Sequence, residues 1–516
     1  MSQLTSASIA PTTSPSSWGR GLSAFPVVRV WFLTYLVFVF SRVDIPDPDL
    51  WWHLRNAQYL LANGHLPVID SYSYTAAGAA VLPFEWLSEI PYYLAYKWAG
   101  LPAVFLLVFL LCTGIVLGIF RLSYLASHDL MSSFLATIGG AFMTKVSIGA
   151  RPLLFGWLYL VALLLILDAV RRDGWKWLWL VPPLFCIWVN SHGSWPIGMV
   201  VFGIFIASGL LEGQWGHAYA TRWEGKQLQR LLITAAASVA AVFVNPFGYR
   251  LAYYPFKVMF GGGGLSGPNN IQEFASIDFH TPLGKLAMIL ILGTLLIAIF
   301  SQERWRLDEL GFIMLALYLS LTNVRFMFLA GILAPPIFAK RLKLGTLGRN
   351  SATRPDNATA LDARGGSFNK RLGNAVVLII LCYVFIISAP PHWKFQNPIN
   401  YPDGAVSYMK ANRIQGRVFH DWDWGGYLIW HAPELKVFID ARGDPYGSTG
   451  VFKDYMSAVS NQNPQAVLDK YQVDYVLMPP TSQLSKSLKS SPLWTQLYGD
   501  ENSVLLRRSP ESRPSQ

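Results

Sequence analysis

Apolar runs close to a bilayer's thickness recur along most of the chain, and this repetition constrains the fold more than any single motif. Their cores lie at 27–40, 101–120, 131–148, 153–170, 178–189, 197–211, 231–244, 286–300, 310–321, 326–338 and 375–387. Backbone N–H and C=O groups find no water inside hydrocarbon, so such runs cross as helices of roughly 17–25 residues. By that length criterion there are about eleven spans. Only 14% of the 516 residues are charged and 53% are hydrophobic, whereas soluble domains carry about 25% charged residues. The expected architecture is therefore an all-α polytopic membrane domain over 25–388, followed by a small α/β soluble domain over 389–516. Four runs in the second part have strand length and strand composition: Arg417-Val418-Phe419-His420, Lys436-Val437-Phe438-Ile439-Asp440, Asp474-Tyr475-Val476-Leu477-Met478 and Ser503-Val504-Leu505-Leu506-Arg507. Residues 1–24, rich in Ser, Thr and Pro, lack the basic start and cleavage site of a signal peptide and read as a disordered tail.

Lys and Arg in short loops set the orientation. With a cytoplasmic N-terminus, the cytoplasmic loops are Arg171-Arg172-Asp173-Gly174-Trp175-Lys176, the stretch from Arg222 to Arg230, Glu303-Arg304-Trp305-Arg306, and a long basic loop over 340–373. An odd number of spans then places the C-terminal domain outside, with long outer loops at 43–100 and 247–284. The net charge of +11 follows from this loop asymmetry and implies no nucleic-acid partner. Cys112, Cys186 and Cys382 all fall in apolar runs, so no disulfide framework is expected. Neither a CxxC nor an HExxH motif occurs, and the run Gly261 to Gly264 lacks the Lys-Ser/Thr of a phosphate loop. It reads as a flexible part of an outer loop.

Unusual polar residues gather on the outer face. Directly after the first span comes Asp47-Pro48-Asp49-Leu50-Trp51-Trp52-His53. Carboxylates at a bilayer edge are costly to place, and tryptophans anchor a segment at headgroup depth. Asp47 and Asp49, one residue apart, converge on one proton or ion if the loop turns; the plainer alternative is that they cap a helix beginning at Leu50. Arg151 and Arg325 stand at outer ends of spans, suited either to grip phosphate oxygens or to snorkel to the headgroups. His192, in Asn190-Ser191-His192-Gly193-Ser194-Trp195, suits a hydrogen bond to phosphate or hydroxyl, or a structural role. His53 fits an aromatic belt, and Glu85 with Glu89 the polar face of an interfacial helix. In the C-terminal domain Trp422 and Asp423 follow the first expected strand, where stacking and acceptor groups suit sugar or peptide recognition; turn chemistry is the alternative. A transporter would instead carry ionisable residues near the membrane midplane, on broken helices in two related halves. No such repeat is visible.

From Asp47 onward the chain resembles the membrane glycosyltransferases of the GT-C fold, with the catalytic subunit of oligosaccharyltransferase as the nearest pattern. Asp47 and Asp49 match its acidic pair, Arg55 the Arg that follows and Gly64 the closing Gly. Ile271-Gln272-Glu273 resembles its outer-loop Ile-x-Glu, and Trp422-Asp423-Trp424-Gly425 its Trp-Trp-Asp-Tyr-Gly element, with Asp421 in place of the first Trp. The family's second acidic cluster has no counterpart in Lys145-Val146-Ser147-Ile148-Gly149-Ala150-Arg151. The resemblance implies transfer of a sugar from a polyprenyl-phosphate-linked donor to a glycan, lipid or protein acceptor at the outer face of a bacterial inner membrane. Asp49 and Asp47 would be the catalytic carboxylates, with Arg151, His192, Glu273, Arg325, Trp422 and Asp423 binding substrate. It also implies a possible Mg or Mn ion held by Asp49 and Glu273. One alternative is en bloc glycan transfer to protein; the other is a lipid-linked-glycan transporter or cell-envelope scaffold without enzymatic activity.

Overall fold

A computed structural model of the protein describes residues 26–41, 47–260, 275–342, 400–446 and 449–509. The chain forms two compact units, Met1–Leu36 with Thr346–Lys394, and Val37–Gly345 with Phe395–Gln516. Of the first unit the described part is helical, the start of α1 (Pro26–Ser41). The second unit holds everything that follows. The tail over 1–24, the expected span at 375–387 and most of the basic loop over 340–373 lie outside the described residues.

The membrane body is built from helices α2 (Leu50–Asn63), α3 (Trp86–Ala99), α4 (Leu101–Ser127), α5 (Leu130–Thr144), α6 (Leu153–Arg171), α7 (Val181–Ser191) and α8 (Trp195–Ala207). It continues through α9 (Gly225–Val242), α10 (Tyr249–Phe260), α11 (Pro282–Phe300), α12 (Leu307–Thr322) and α13 (Met327–Leu342). Their ends follow local chemistry. The Asp129 side chain caps α5 by accepting from the Met131 and Ser132 N–H groups at 3.2 and 3.1 Å. His128 closes α4 in the left-handed region at φ 53°.

Among the described residues three helices are long and apolar enough to cross a membrane, α4, α6 and α11. The protein is thus a multi-pass membrane protein, but the count of eleven spans is not confirmed. Several expected spans form helices that are too short or too polar at their ends. Val181-Pro182-Pro183 opens α7, which has only 11 residues, and α9 begins with Lys226 and Arg230 in its first two turns. α11 buries only Gly284, Ala287 and Leu290, leaving Ile289, Leu292, Leu296 and Ile299 exposed, an apolar face suited to lipid.

The C-terminal part carries α14 (Asp403–Ala411), β4 (Val418–His420), α15 (Gly425–His431), α16 (Val451–Val459), α17 (Pro464–Lys470), β5 (Tyr475–Met478), α18 (Gln483–Lys489), β6 (Trp494–Gly499) and β7 (Val504–Arg508). Three earlier or separate short strands, β1 (Gly213–Trp215), β2 (Ala218–Ala220) and β3 (Trp305–Arg306), make a small sheet of their own. The C-terminal sheet runs β4-β5-β7-β6, with β4 parallel to β5 and the other pairs antiparallel. Its core includes Phe419, Phe438, Tyr455, Leu468, Val476 and Leu506.

The expected strand over Lys436–Asp440 does not enter this sheet. Its backbone instead meets the segment between α2 and α3: the Val437 N–H donates to the Tyr72 carbonyl at 3.0 Å and the Tyr74 N–H to the Val437 carbonyl at 3.1 Å. β6, which the sequence reading missed, takes the sheet edge beside β7.

Contact with α2 completes this junction. Trp51 packs edge-on against Tyr401, Tyr427 and His431. At Gly426 a Cβ would stand 2.4 Å from the Pro48 carbonyl oxygen, so only glycine admits the acidic turn this close to α15. The loop and the C-terminal part therefore share one packed surface, and the candidate site lies beside it.

Candidate active site

The turn Asp47-Pro48-Asp49 precedes α2, yet neither carboxylate caps that helix. Asp49 occupies the N-cap position without a side-chain capping bond. Its Oδ1 instead accepts from Trp52 Nε1 at 3.2 Å. Asp47 Oδ1 accepts from the Asp49 N–H at 2.9 Å, which closes the turn. The other Asp47 oxygen pairs with Arg151 Nε, and the same nitrogen stands 4.0 Å from Asp49 Oδ2. Arg151 thus faces both carboxylates, and its backbone carbonyl is held by the Tyr92 hydroxyl at 2.9 Å.

Asp49 and Arg151 line a cavity of about 270 Å³ with Trp52, His53, Glu85, His192, Arg325, Trp422 and Arg442. α10 supplies an apolar wall through Tyr254, Pro255, Val258 and Met259. Deeper still is a buried chain of polar groups. His53 Nδ1 and Glu89 Oε1 share a hydrogen bond of 2.9 Å, and Asn56 Nδ2 donates to the same oxygen at 3.2 Å. Glu85 stands between the two histidines, 3.8 Å from His53 Nε2 and 3.3 Å from His192 Nε2.

The tautomer of His192 follows from its neighbours. The Ser194 N–H donates to His192 Nδ1 at 3.0 Å, so Nδ1 is the acceptor and the ring proton sits on Nε2, toward Glu85. Gly156 on α6 makes room for this: a Cβ there would stand 2.4 Å from Ser194 Oγ and 3.3 Å from His192 Nδ1.

Electrostatics sort the groups into charged and neutral. Desolvation, then the neighbouring Asp47 charge, pushes the Asp49 carboxyl up to about 6, while Arg151, His53 and the Trp52 hydrogen bond oppose this. Burial carries Glu85 well above the usual carboxylate range, helped by Glu89, and Glu89 itself up to about 8. Burial also lowers His53 to about 4 and His192 to about 3. Burial thus favours the uncharged forms of Glu85, Glu89, His53 and His192. The formal charges left at the cavity are the Asp47–Asp49 pair, Arg151, Arg325, and Arg442 with its own carboxylates. Arg325 acts on both Glu85 and His192.

The structure brings together Asp49, Arg151, His192, Arg325 and Trp422, with Asp47 behind Arg151. Asp423 stands on the exposed side of its turn, next to Trp422 but not in the cavity wall. Glu273 lies outside the described residues, as do Ile271, Gln272 and the run Gly261–Gly264. Two expectations need correction. Glu85 and Glu89 are no solvated helix face; both are buried, and Glu85 lines the cavity. His53 is likewise 2% exposed and bonded to Glu89, where the sequence reading placed it in an aromatic belt.

Arg442 was missed. Its guanidinium is shared by Asp440 at 2.8 Å and Asp70 at 2.7 Å, and the Tyr446 hydroxyl donates to Asp440 at 2.7 Å. The sequence signal was the run Asp440-Ala441-Arg442-Gly443-Asp444, a loop at a strand end that suits sugar or peptide recognition or plain turn chemistry and does not single out Arg442.

Of the two ligands implied for a divalent cation, Asp49 stands beside Arg151 and Glu273 lies outside the described residues. Among them no three His, Cys, Asp or Glu side chains form a group able to hold a metal ion. The guanidinium of Arg151 already stands where such an ion would meet the two carboxylates.

No protein-family model matches the chain, and no curated protein matches it by sequence. Solved structures do match in fold. The archaeal oligosaccharyltransferase AglB from Archaeoglobus fulgidus, in complex with an inhibitory peptide and a dolichol-phosphate, aligns with a TM-score of 0.53 at 12% identity, over 97% of this chain and 75% of that one. The Archaeoglobus fulgidus oligosaccharyltransferase tethered with an acceptor peptide gives 0.52 at 12% identity with the same coverage. ArnT from Cupriavidus metallidurans, bound to undecaprenyl phosphate, gives 0.50 at 10% identity, over 98% of this chain and all of that one. At such identities the likeness is one of architecture: the chain has the GT-C fold of membrane glycosyltransferases.

Proposed function

We propose that the protein transfers a sugar from a polyprenyl-phosphate-linked donor to an acceptor at the outer face of the membrane. The observation that carries this reading is the cavity itself, where Asp49 faces Arg151 and Arg325 across a space walled on one side by apolar α10. In the proposed reaction the Asp49 carboxylate takes the proton of the acceptor nucleophile. That atom forms the new bond to the anomeric carbon as the bond from this carbon to the phosphate oxygen breaks. The electron pair stays on the departing polyprenyl phosphate, held by Arg325 and the outer edge of Arg151. Fixed donors aimed at developing phosphate charge are the larger contribution in such a step. His192 would donate a hydrogen bond from its Nε2–H to a phosphate or hydroxyl oxygen, and Trp422 would stack on a sugar face.

The donor tail has a place to go. α10 also forms one side of a second cavity of about 820 Å³, lined by Trp195, Phe202, Val239, Phe243, Tyr253 and Phe256 among others. Its apolar lining suits isoprenoid chain, next to the phosphate site. The likeness to AglB favours a second reading, en bloc glycan transfer to protein, in which Glu273 would join Asp49 at a metal ion. Sensitivity of turnover to a chelator separates the two. A multi-pass protein in a bacterial inner membrane, with residues 389–516 outside and the basic loops inside, completes the proposal.

Two tests belong here. Arg325→Ala should lower kcat/KM for the lipid donor by about a hundredfold, the usual scale for one lost donor to developing charge. An effect below threefold removes Arg325 from the phosphate site. Second, a base must be deprotonated to act, so kcat/KM should fall on the acid side with a midpoint near the Asp49 value of about 6. In Asp47→Asn the charge that raises this value is gone and Arg151 is freed toward Asp49, so the midpoint should move to lower pH. A pH–rate profile with an unmoved midpoint contradicts the assignment of Asp49.

A further inference from the structure

Three segments that the sequence marks as basic meet around one cavity far from the candidate active site. α6 begins at Leu153, which lines the active-site cavity, and ends at Arg171, which lines this other one. This helix has nineteen residues, about 28 Å in length. α13 repeats the pattern, with Phe328 at the active-site cavity and Lys340 at the second. The two cavities therefore open at opposite ends of the membrane body.

The cavity at Arg171 is about 260 Å³. Arg171 Nη2 donates to Asp308 Oδ2 at 3.0 Å and to Ser208 Oγ at 2.9 Å. Arg306 Nε donates to Asp308 Oδ1 at 3.0 Å, and Arg172 pairs with Asp168. Lys340 Nζ reaches Glu309 Oε1 at 2.8 Å, and Arg341 Nη2 reaches Glu309 Oε2 at 2.6 Å. Five cations thus share three carboxylates. The surplus is positive, and Arg171 Nε is buried without a hydrogen-bond partner. Stacking on Phe205 and Trp223, 4.8 and 4.6 Å from their ring centres, fixes the Arg171 guanidinium plane. The remaining wall is apolar, formed by Leu122, Leu125, Leu164, Phe312, Leu333 and Ile337.

Asp308 and Glu309 each serve two cations. Surplus cations beside leucines, at the end of a membrane-crossing helix, suit a ligand with a phosphate at one end and hydrocarbon at the other. We propose that this cavity binds the headgroup phosphate of an anionic phospholipid, with the acyl chains along the leucine wall. The site is separate from the donor site and does not depend on the reaction proposed there.

The test uses the full-length detergent-purified protein with short-chain phosphatidylglycerol, short-chain phosphatidylcholine or inorganic phosphate. Binding is followed by native mass spectrometry and thermal stability. Phosphatidylglycerol should bind about tenfold more tightly than phosphatidylcholine and raise the melting temperature. Arg172→Gln combined with Lys340→Gln should weaken phosphatidylglycerol about tenfold. Asp168→Asn, which removes one carboxylate, should tighten it, an effect that loss of folding does not mimic. Equal binding of the two lipids, or undiminished binding in the double variant, overturns the proposal. Displacement of phosphatidylglycerol by an equal concentration of inorganic phosphate also overturns it, because the site would then be one for small anions.

Discussion

Asp49→Asn should lower the rate of donor consumption by about a thousandfold, within the range for loss of a positioned general base. The substitution keeps shape and keeps an oxygen for the Trp52 indole N–H, which now bonds Asp49 Oδ1 at 3.2 Å. Thermal stability should therefore change little while turnover collapses. Asp47→Asn should cost less at its optimum pH, because Asp47 is engaged by the Asp49 N–H and by Arg151. It sets the turn and the Asp49 value more than it meets substrate. The comparison needs single-turnover rates of both variants beside the parent, with folding checked by melting temperature. If Asp49→Asn keeps more than a tenth of the parent rate, the carboxylate is not the base.

Arg442→Met should destabilise the protein by about 3–5 kcal/mol, the scale for breaking a buried ion pair by removing one partner. Asp70 and Asp440 are both 0% exposed in their side chains, and Arg442 is 5% exposed. Without the guanidinium, two carboxylates remain buried beside each other with hydrogen-bond donors, the Ser73 hydroxyl on Asp70 and the Tyr446 hydroxyl on Asp440, but no counter-charge. Removing those charges as well, in Arg442→Met with Asp70→Asn and Asp440→Asn, should recover much of the loss. The measurement is thermal unfolding in detergent, followed through tryptophan fluorescence. Equal melting temperatures for parent and Arg442→Met would show that the contact does not hold the segment between α2 and α3 to the C-terminal part. Because Arg442 also lines the cavity, the less stable variant should lose donor affinity too.

Much of the site's membership was legible because topology sorts residues before geometry does. Asp49, Arg151, His192 and Arg325 each sit where an apolar run ends on one face, and the fold gathers those ends around one cavity. Trp422 was legible as a large side chain on a turn following a strand. What failed to show was burial. The spacing of Glu85 and Glu89 gives a helix face but not what covers it, and the covering residues, His53 and His192, come from distant segments. Arg442 hid in turn chemistry, since its partners Asp70 and Asp440 give no joint signal in the sequence. The run Lys436–Asp440 has strand composition, yet its backbone partners come from residues near 72–74 rather than from the sheet, so tertiary pairing overrode propensity. The count of eleven spans is not confirmed: among the described residues three helices are long and apolar enough to cross, while others open on prolines such as Pro182 and Pro183 or carry charged ends such as Lys226 and Lys340.

The central claim is that the Asp49 cavity cleaves a polyprenyl-phosphate sugar. The most direct test reconstitutes the folded parent protein into vesicles containing a panel of radiolabelled polyprenyl-phosphate sugars, with and without chelator, and follows label leaving the lipid. The account predicts release from at least one donor that is absent in Asp49→Asn, with the chelator arm separating single-sugar transfer from the metal-dependent en bloc reading. No release from any donor by protein shown to be folded, or equal release by Asp49→Asn, would contradict it.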